Sequence, residues 1–477
     1  MTEDKTTKGH KKASTDSRPP GNKAAATPPA RRLALRVLAL TLDKGMDLQA
    51  ALDQTLNQSQ AKAQRQDQAP PDPRDAALAT ELSYGFLRLK GRVEFVLSLF
   101  LKDAARLHPA IRRAMALAAH EIMHLDFVPA RASVHWAVDL AKSLAGPRLG
   151  GLVNAVLHKV ADLGPAALDP GLYRKDQCPT AKYFSRYYSC PEWIVDLWVS
   201  TLGEEGAEAC LKAQIQAPPL GLWVPSTGAE ADALLERLAA RPDCLVRQGR
   251  GLAFAAGTSL DDLGLSGTDV AQGRVLRQSL AAQEALLSFG PEIFAGPGPV
   301  WDCCAGRGNK TRHILALAKG PVLASDVHAG RLKVLRQDLG QAENLLVFRA
   351  RADMPAPLAA HLAASQAKAP GLIVVDAPCT GLGVLSRRPD SKWKRTPEDA
   401  DTLARLQAHV LHETFAALAP GGRLLYLTCT LNPAENQDQV QALLAQVPGA
   451  HLAGQWSTPL DSPLREFFFT ALVEKGR

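Results

Sequence analysis

The sequence predicts a helical bundle followed by a Rossmann-like α/β domain with a parallel sheet covered on both faces. Three observations predict it. Between residues 31 and 165 apolar side chains recur at helical spacing, with no two-residue alternation. From about residue 270, short apolar runs alternate with helical ones, the pattern of repeated β-α units. No apolar run approaches the roughly 18 residues that a membrane-spanning helix needs. The expectation is a cytoplasmic, monomeric protein with no membrane contact. Its 477 residues are 46% hydrophobic and 22% charged, a globular composition of about three domains. Such a length buries a sizeable core without disulfides or a structural metal.

Residues 1–30 read as a disordered basic tail, rich in Pro, Ser, Thr and Gly with little to bury. Residues 1–32 hold eight Lys and Arg against three acids, so +5 of the chain's +7 lies there. Such a tail either holds nucleic acid nonspecifically or is solvated without a partner. Helices are expected at 33–42, 75–101, 109–125, 132–144 and 152–163, forming a bundle over 31–165. Residues 57–74, rich in Gln, Pro and Asp, read as a loop. Residues 166–270 read as a connecting or accessory subdomain with helices at 183–198, 206–215 and 230–240 and a short strand at 252–256.

The α/β domain spans 271–477. Strands are expected at 300–304, 321–326, 345–348, 372–377, 424–429 and 467–473. Helices fall at 311–318, 329–339, 356–368 and 436–445. Another opens at Thr396-Pro397-Glu398-Asp399, with Thr as N-cap, Pro in the first helical position and an acid three residues after the cap. Ligands of such sheets bind beyond the carboxyl ends of the strands.

After the first of these strands comes Asp302-Cys303-Cys304-Ala305-Gly306-Arg307-Gly308-Asn309-Lys310-Thr311. A P-loop would need Gly at 304 and 309, and a dinucleotide fingerprint starting at Gly306 would need Gly at 311; neither holds. What remains is a tight turn that lets a small ligand approach a helix N-terminus. Asp326, at the tip of the next strand, can bond ribose hydroxyls. Without a pyrophosphate cradle, an adenosyl ligand lacking phosphates fits, and S-adenosylmethionine is that ligand.

The eight cysteines include no C-x-x-C pair, which argues against a zinc framework or disulfide scaffold. Cys178, Cys190, Cys210 and Cys244 read as structural. Cys379 and Cys429 each stand at a strand end, in Asp376-Ala377-Pro378-Cys379-Thr380-Gly381 and Leu427-Thr428-Cys429-Thr430. The two strands are expected to be neighbours, so both thiols should face one cleft. Carbon-5 of cytosine becomes nucleophilic only after a thiolate adds at carbon-6. The bland reading is two small buried strand residues.

At this point the last two hundred residues resemble the RsmB-like (Sun) family of RNA cytosine-5 methyltransferases. The matching pieces are Gln278-Ser279 with Gln283, the glycine loop, Asp326, Ala352-Asp353, the Asp376 stretch to Gly383, Arg388-Pro389-Asp390 with Lys392-Trp393, and Thr428-Cys429 with Glu435-Asn436. The resemblance implies Cys429 as nucleophile and Cys379 as assistant in product release. It places Asp376 beside cytosine and cofactor, with Lys310 supporting the site. Cys304, Ala305, Gly306, Gly308, Lys310, Asp326, Asp353 and Asp376 would hold S-adenosylmethionine. The loop departs from the family's usual Ala-Pro-Gly-Gly, reading Gly306-Arg307-Gly308-Asn309. An Arg-Val-Asn common near the start of the family's catalytic part is absent around residues 220–225. Residues 31–163 resemble the NusB family of RNA-binding proteins through Gly85 with Arg88, Pro129, and Val153-Asn154 with Leu157. The combination implies small-subunit (16S) ribosomal RNA as substrate. Transfer RNA, another ribosomal cytosine, and a noncatalytic RNA-binding or assembly factor are the rivals; Cys429 and Asp376 speak against the last.

His120-Glu121-Ile122-Met123-His124 spells H-E-x-x-H, but no third zinc ligand stands out nearby. Ile122 and Leu125 are expected to face the core and the polar residues solvent, so no metal is expected. The basic run with Arg387, Arg388, Lys392 and Trp393 follows Cys379 and is expected to touch RNA, by phosphate contact and base stacking.

Overall fold

The computed structural model describes residues 27–66, 72–354, 356–364 and 368–477. The expected tail falls almost wholly outside these residues. The first half of the chain is helical: α1 (Pro29–Leu42), α2 (Leu48–Arg65), α3 (Pro73–Ser98), α4 (Pro109–His124), α5 (Ala130–Ala145), α6 (Pro147–Leu163), α7 (Pro170–Tyr173), α8 (Thr180–Tyr187) and α9 (Glu192–Gln214). Of the loop expected at 57–74, residues 57–65 are instead the second half of α2, and residues 67–71 lie outside the described residues. The Gln, Ala and Lys of that half are good helix formers, and Lys62 and Arg65 suit the negative end of the helix.

On α4 the H-E-x-x-H residues turn inward, against the expectation that they face solvent. Glu121 is fully buried and accepts from Arg31 of α1 (2.9 Å) and from Ser133 (2.5 Å) and Trp136 (3.0 Å) of α5. With three donors on its carboxylate, Glu121 serves as a packing centre for three helices. One apolar core runs from Leu33 and Val37 of α1 through Trp198 and Leu211 of α9. It continues into Leu382, Leu385 and Phe467, far along the chain.

Two sheets follow. The smaller is antiparallel, with strands β1 (Leu220–Trp223), β2 (Cys244–Gln248), β3 (Gly251–Phe254) and β4 (Leu276–Arg277) in the order β2-β3-β1-β4. Only β3 was expected. The others are short, and β2 is mostly exposed, so neither run length nor alternation marks them.

The larger sheet comprises β5 (Val300–Asp302), β6 (Val322–Asp326), β7 (Leu345–Arg349), β8 (Leu372–Asp376), β9 (Arg423–Thr428), β10 (Ala450–Ser457) and β11 (Phe469–Lys475). Its order is β10-β11-β9-β8-β5-β6-β7; β11 runs antiparallel to both of its neighbours, β10 and β9, and the other pairings are parallel. Alternate residues feed two cores: Ile373 and Val375 pack on one face, Leu372 and Val374 on the other. The helix expected at Thr396 runs over Pro397–Ala416, and its capping box forms as its sequence dictates.

Candidate active site

The strand ends bring the expected residues to one edge of the sheet. Beyond β5 the chain turns at Gly306 (φ +58°) and Gly308 (φ +90°), and the helix Asn309–Leu317 begins. A Cβ on Gly308 would meet Leu335 at 3.0 Å, so the turn packs close against the next helix. The amide of Gly306 donates to Asp326 at 3.0 Å, and that of His328 to the same carboxylate at 2.7 Å. Each carboxylate oxygen keeps a second acceptor position. A cleft of about 430 Å³, lined by Arg307, Val327, His328 and Arg331 among others, opens beside Asp326. A Cβ on Gly306 would meet nothing within 4 Å. Open space, a strand-end carboxylate and a glycine turn suit a nucleoside-sized ligand. Asp353 follows β7 and is engaged by Arg351 at 2.6 Å, which holds its carboxyl below the usual range.

β8 and β9 pair in parallel, with Asp376 opposite Leu427, so Cys379 and Cys429 leave the sheet side by side. Their sulfurs are 3.3 Å apart, and the amide of Cys429 donates to the sulfur of Cys379 at 3.4 Å. Lys310 reaches from the helix Asn309–Leu317 to Asp376 at 2.6 Å. Burial alone would lower the Lys310 ammonium, but Asp376 more than offsets it and the net shift is upward.

The environment splits the two thiols. Cys429 is lowered, first by the hydrogen bond from Cys379 and then by Lys310 and Arg388, against burial and Asp376. Cys379 is raised, by that same hydrogen bond, by burial and by the facing Glu435. Of the two, Cys429 is therefore the thiol that gives up its proton first.

Glu435 anchors the wall behind them. It is fully buried and accepts from the Thr380 amide (2.8 Å) and hydroxyl (2.5 Å), Gln407 (3.1 Å), and Thr430 and Asn432 (each 3.3 Å). Asn436 bonds the Thr430 carbonyl at 3.0 Å. These bonds fix the residues that follow each cysteine. The spacing Cys429 to Glu435-Asn436 was visible in the sequence, but its job as a brace was not.

The basic run departs from expectation. Lys392 is 2% exposed, and its ammonium donates to the Arg88 carbonyl of α3 at 2.8 Å. Trp393 donates to the Leu87 carbonyl at 2.7 Å, with Lys90 over its ring. These two residues dock the α/β half onto the helical half, with Lys392 buried in the junction and Trp393 half-buried there. Arg387 pairs with the buried Glu466. Of the four, Arg388 is exposed, and it lies close enough to Cys429 to lower its thiol.

Comparison with known proteins agrees with this architecture. The family described as 16S rRNA methyltransferase RsmB/F matches residues 297–464, and the NusB family matches residues 28–162. Ribosomal RNA small subunit methyltransferase B of Vibrio cholerae is 32% identical over 80% of this chain and 84% of its own. The protein of the same name from Vibrio vulnificus is 29% identical over 94% and 99%. The crystal structure of PH0851, 20% identical, covers 94% of this chain and 99% of its own at a TM-score of 0.69, a likeness of fold.

Proposed function

The chain belongs to the RsmB/F family of 16S rRNA methyltransferases, and from that premise we propose that it methylates carbon-5 of a cytosine through a covalent adduct on Cys429. S-adenosylmethionine, held at the glycine turn and Asp326, supplies an electrophilic methyl group when bound. The observation that carries the reading is the thiol pair, with Cys429 lowered, Cys379 raised, and Lys310 with Asp376 facing them.

The Cys429 thiolate forms a bond to carbon-6 of the ring. The carbon-5–carbon-6 electron pair then serves carbon-5 as an enamine, which takes the methyl group. A base then takes the carbon-5 proton, the carbon-5–hydrogen electron pair re-forms the carbon-5–carbon-6 double bond, and the carbon-6–sulfur bond breaks to release the Cys429 thiolate. Asp376, held by Lys310, accepts a hydrogen bond from the polar edge of the base. Cys379 assists the release. The target base has to leave its stack to reach a site this deep, which favours an unpaired cytosine.

The test is transfer of labelled methyl from S-adenosylmethionine to unmodified small-subunit rRNA. Wild type should yield 5-methylcytosine, Cys429→Ala none, and Cys379→Ala a stalled protein-RNA adduct. Normal transfer by Cys429→Ala would overturn the mechanism.

A further inference from the structure

The loop after Cys379 is gripped from the helical half of the molecule. Gly383 donates its amide to the carbonyl of Cys429 at 2.9 Å. A Cβ at Gly383 would lie 2.0 Å from the Phe467 carbonyl oxygen, so the backbone passes there without slack. The side chain of Gln214, the last residue of α9, is 3% exposed. Its amide nitrogen donates to the carbonyls of Gly383 (3.0 Å) and Arg465 (3.3 Å), and its oxygen accepts from the Ser386 amide (2.9 Å). Arg88 of α3, 7% exposed, donates to the Ser386 carbonyl at 3.0 Å.

A buried primary amide bonded on both sides to one short loop fixes that loop in register. Residues 298 and 169 positions away in sequence thus converge on a segment whose next bond is to the nucleophile's own carbonyl. We propose that Gln214 and Arg88 are positioning residues for methyl transfer, holding Gly383–Ser386 so that the backbone of Cys429, and with it the thiol, stays set against Lys310 and Asp376. The helical half is then part of the catalytic apparatus as well as a neighbour of it. The apolar core agrees, because Leu382 and Leu385 of this loop belong to the same cluster as the bundle.

This inference rests on the proposed role of Cys429, and its test separates the two. In the full-length chain Gln214→Met removes all three bonds at similar volume. The expected result is a fall in kcat of roughly 10- to 100-fold, the size of effect that a small misplacement of reacting groups produces. KM for rRNA and the affinity for S-adenosylmethionine should stay within about twofold. The rate of iodoacetamide modification at Cys429, read on its own peptide by mass spectrometry, should change while that of Cys304 does not. A folded Gln214→Met with wild-type kcat and wild-type Cys429 modification would overturn the inference and leave the function standing. Absence of transfer by wild type would instead sink the function, and the modification rate would still judge the positioning. If Gln214→Met does not fold, Arg88→Met decides by the same readouts. It removes one bond at the other end of the loop and relieves a buried cation; wild-type values there overturn the inference equally.

Discussion

The sulfur of Cys379 lies 3.3 Å from that of Cys429, within hydrogen-bond reach. Two chemically identical side chains thus take opposite parts, because one faces Lys310 and Arg388 and the other faces Glu435. The strands make this possible: a parallel β8-β9 pair delivers both loops to the same edge.

The first consequence is an order of reactivity. With its thiol lowered, Cys429 stays ionised to lower pH than an ordinary cysteine, while Cys379 ionises only at higher pH. Alkylation followed peptide by peptide across pH 5–9 should modify Cys429 first. Cys379→Ala removes the leading cause of the lowering, so the acid limb of Cys429 alkylation should move to higher pH. A shift of about one pH unit corresponds to roughly tenfold less thiolate at a pH below the pKa. An unmoved limb, or faster alkylation of Cys379, would refute the assignment of roles.

Much of this site was legible in the sequence, and the reason is local. Asp302 to Thr311, Asp326, Cys379 and Cys429 each sit at a strand end, and strand ends are where a parallel sheet places its ligands. What escaped was everything decided across long sequence separations. Lys392 and Trp393 look like a solvated basic face, yet their partners are backbone carbonyls of Arg88 and Leu87 about three hundred residues earlier. A carbonyl has no residue signature, so no pattern could announce it. β10 escaped for another reason: it is an edge strand with five of eight residues exposed, and it buries too little to show a period.

A second prediction concerns Glu435. Its carboxylate collects donors from Thr380, Gln407, Thr430 and Asn432 in a fully buried setting. Glu435→Gln turns one acceptor into a donor that faces donors. Bonds to a buried charge are each worth roughly 1.5–3 kcal/mol, so a loss of about 2–3 kcal/mol is expected. Urea unfolding should show the lower midpoint, and methyl transfer should fall with it because both cysteine loops loosen. An unchanged midpoint would mean the brace carries no load.

A third concerns Asp302. Burial raises its carboxyl to about 7, only partly opposed by the Thr311 hydroxyl at 2.7 Å and the Cys304 amide. The folded state therefore binds this proton more tightly than the unfolded chain does. Stability from this group is fully present below the ordinary value near 3.8 and is lost as pH rises towards about 7. Asp302→Asn, which cannot ionise, should flatten that slope. Urea midpoints at pH 5 and pH 8 should differ less in the variant than in wild type; an equal or larger difference would contradict the account.

The last prediction separates docking from RNA contact within one stretch of nine residues. Arg388 is exposed beside the thiols, whereas Lys392 is buried against α3. A cation that neutralises an RNA phosphate releases a counterion, so its loss lowers the slope of log affinity against log salt by somewhat under one. Arg388→Met should show that change in rRNA binding with little effect on thermal unfolding. Lys392→Met should do the reverse, because its buried ammonium donates to a carbonyl of the helical half and its removal loosens the junction. The same salt slope for Arg388→Met as for wild type would remove RNA from this face. A reduced slope for Lys392→Met would mean that the junction opens when RNA binds.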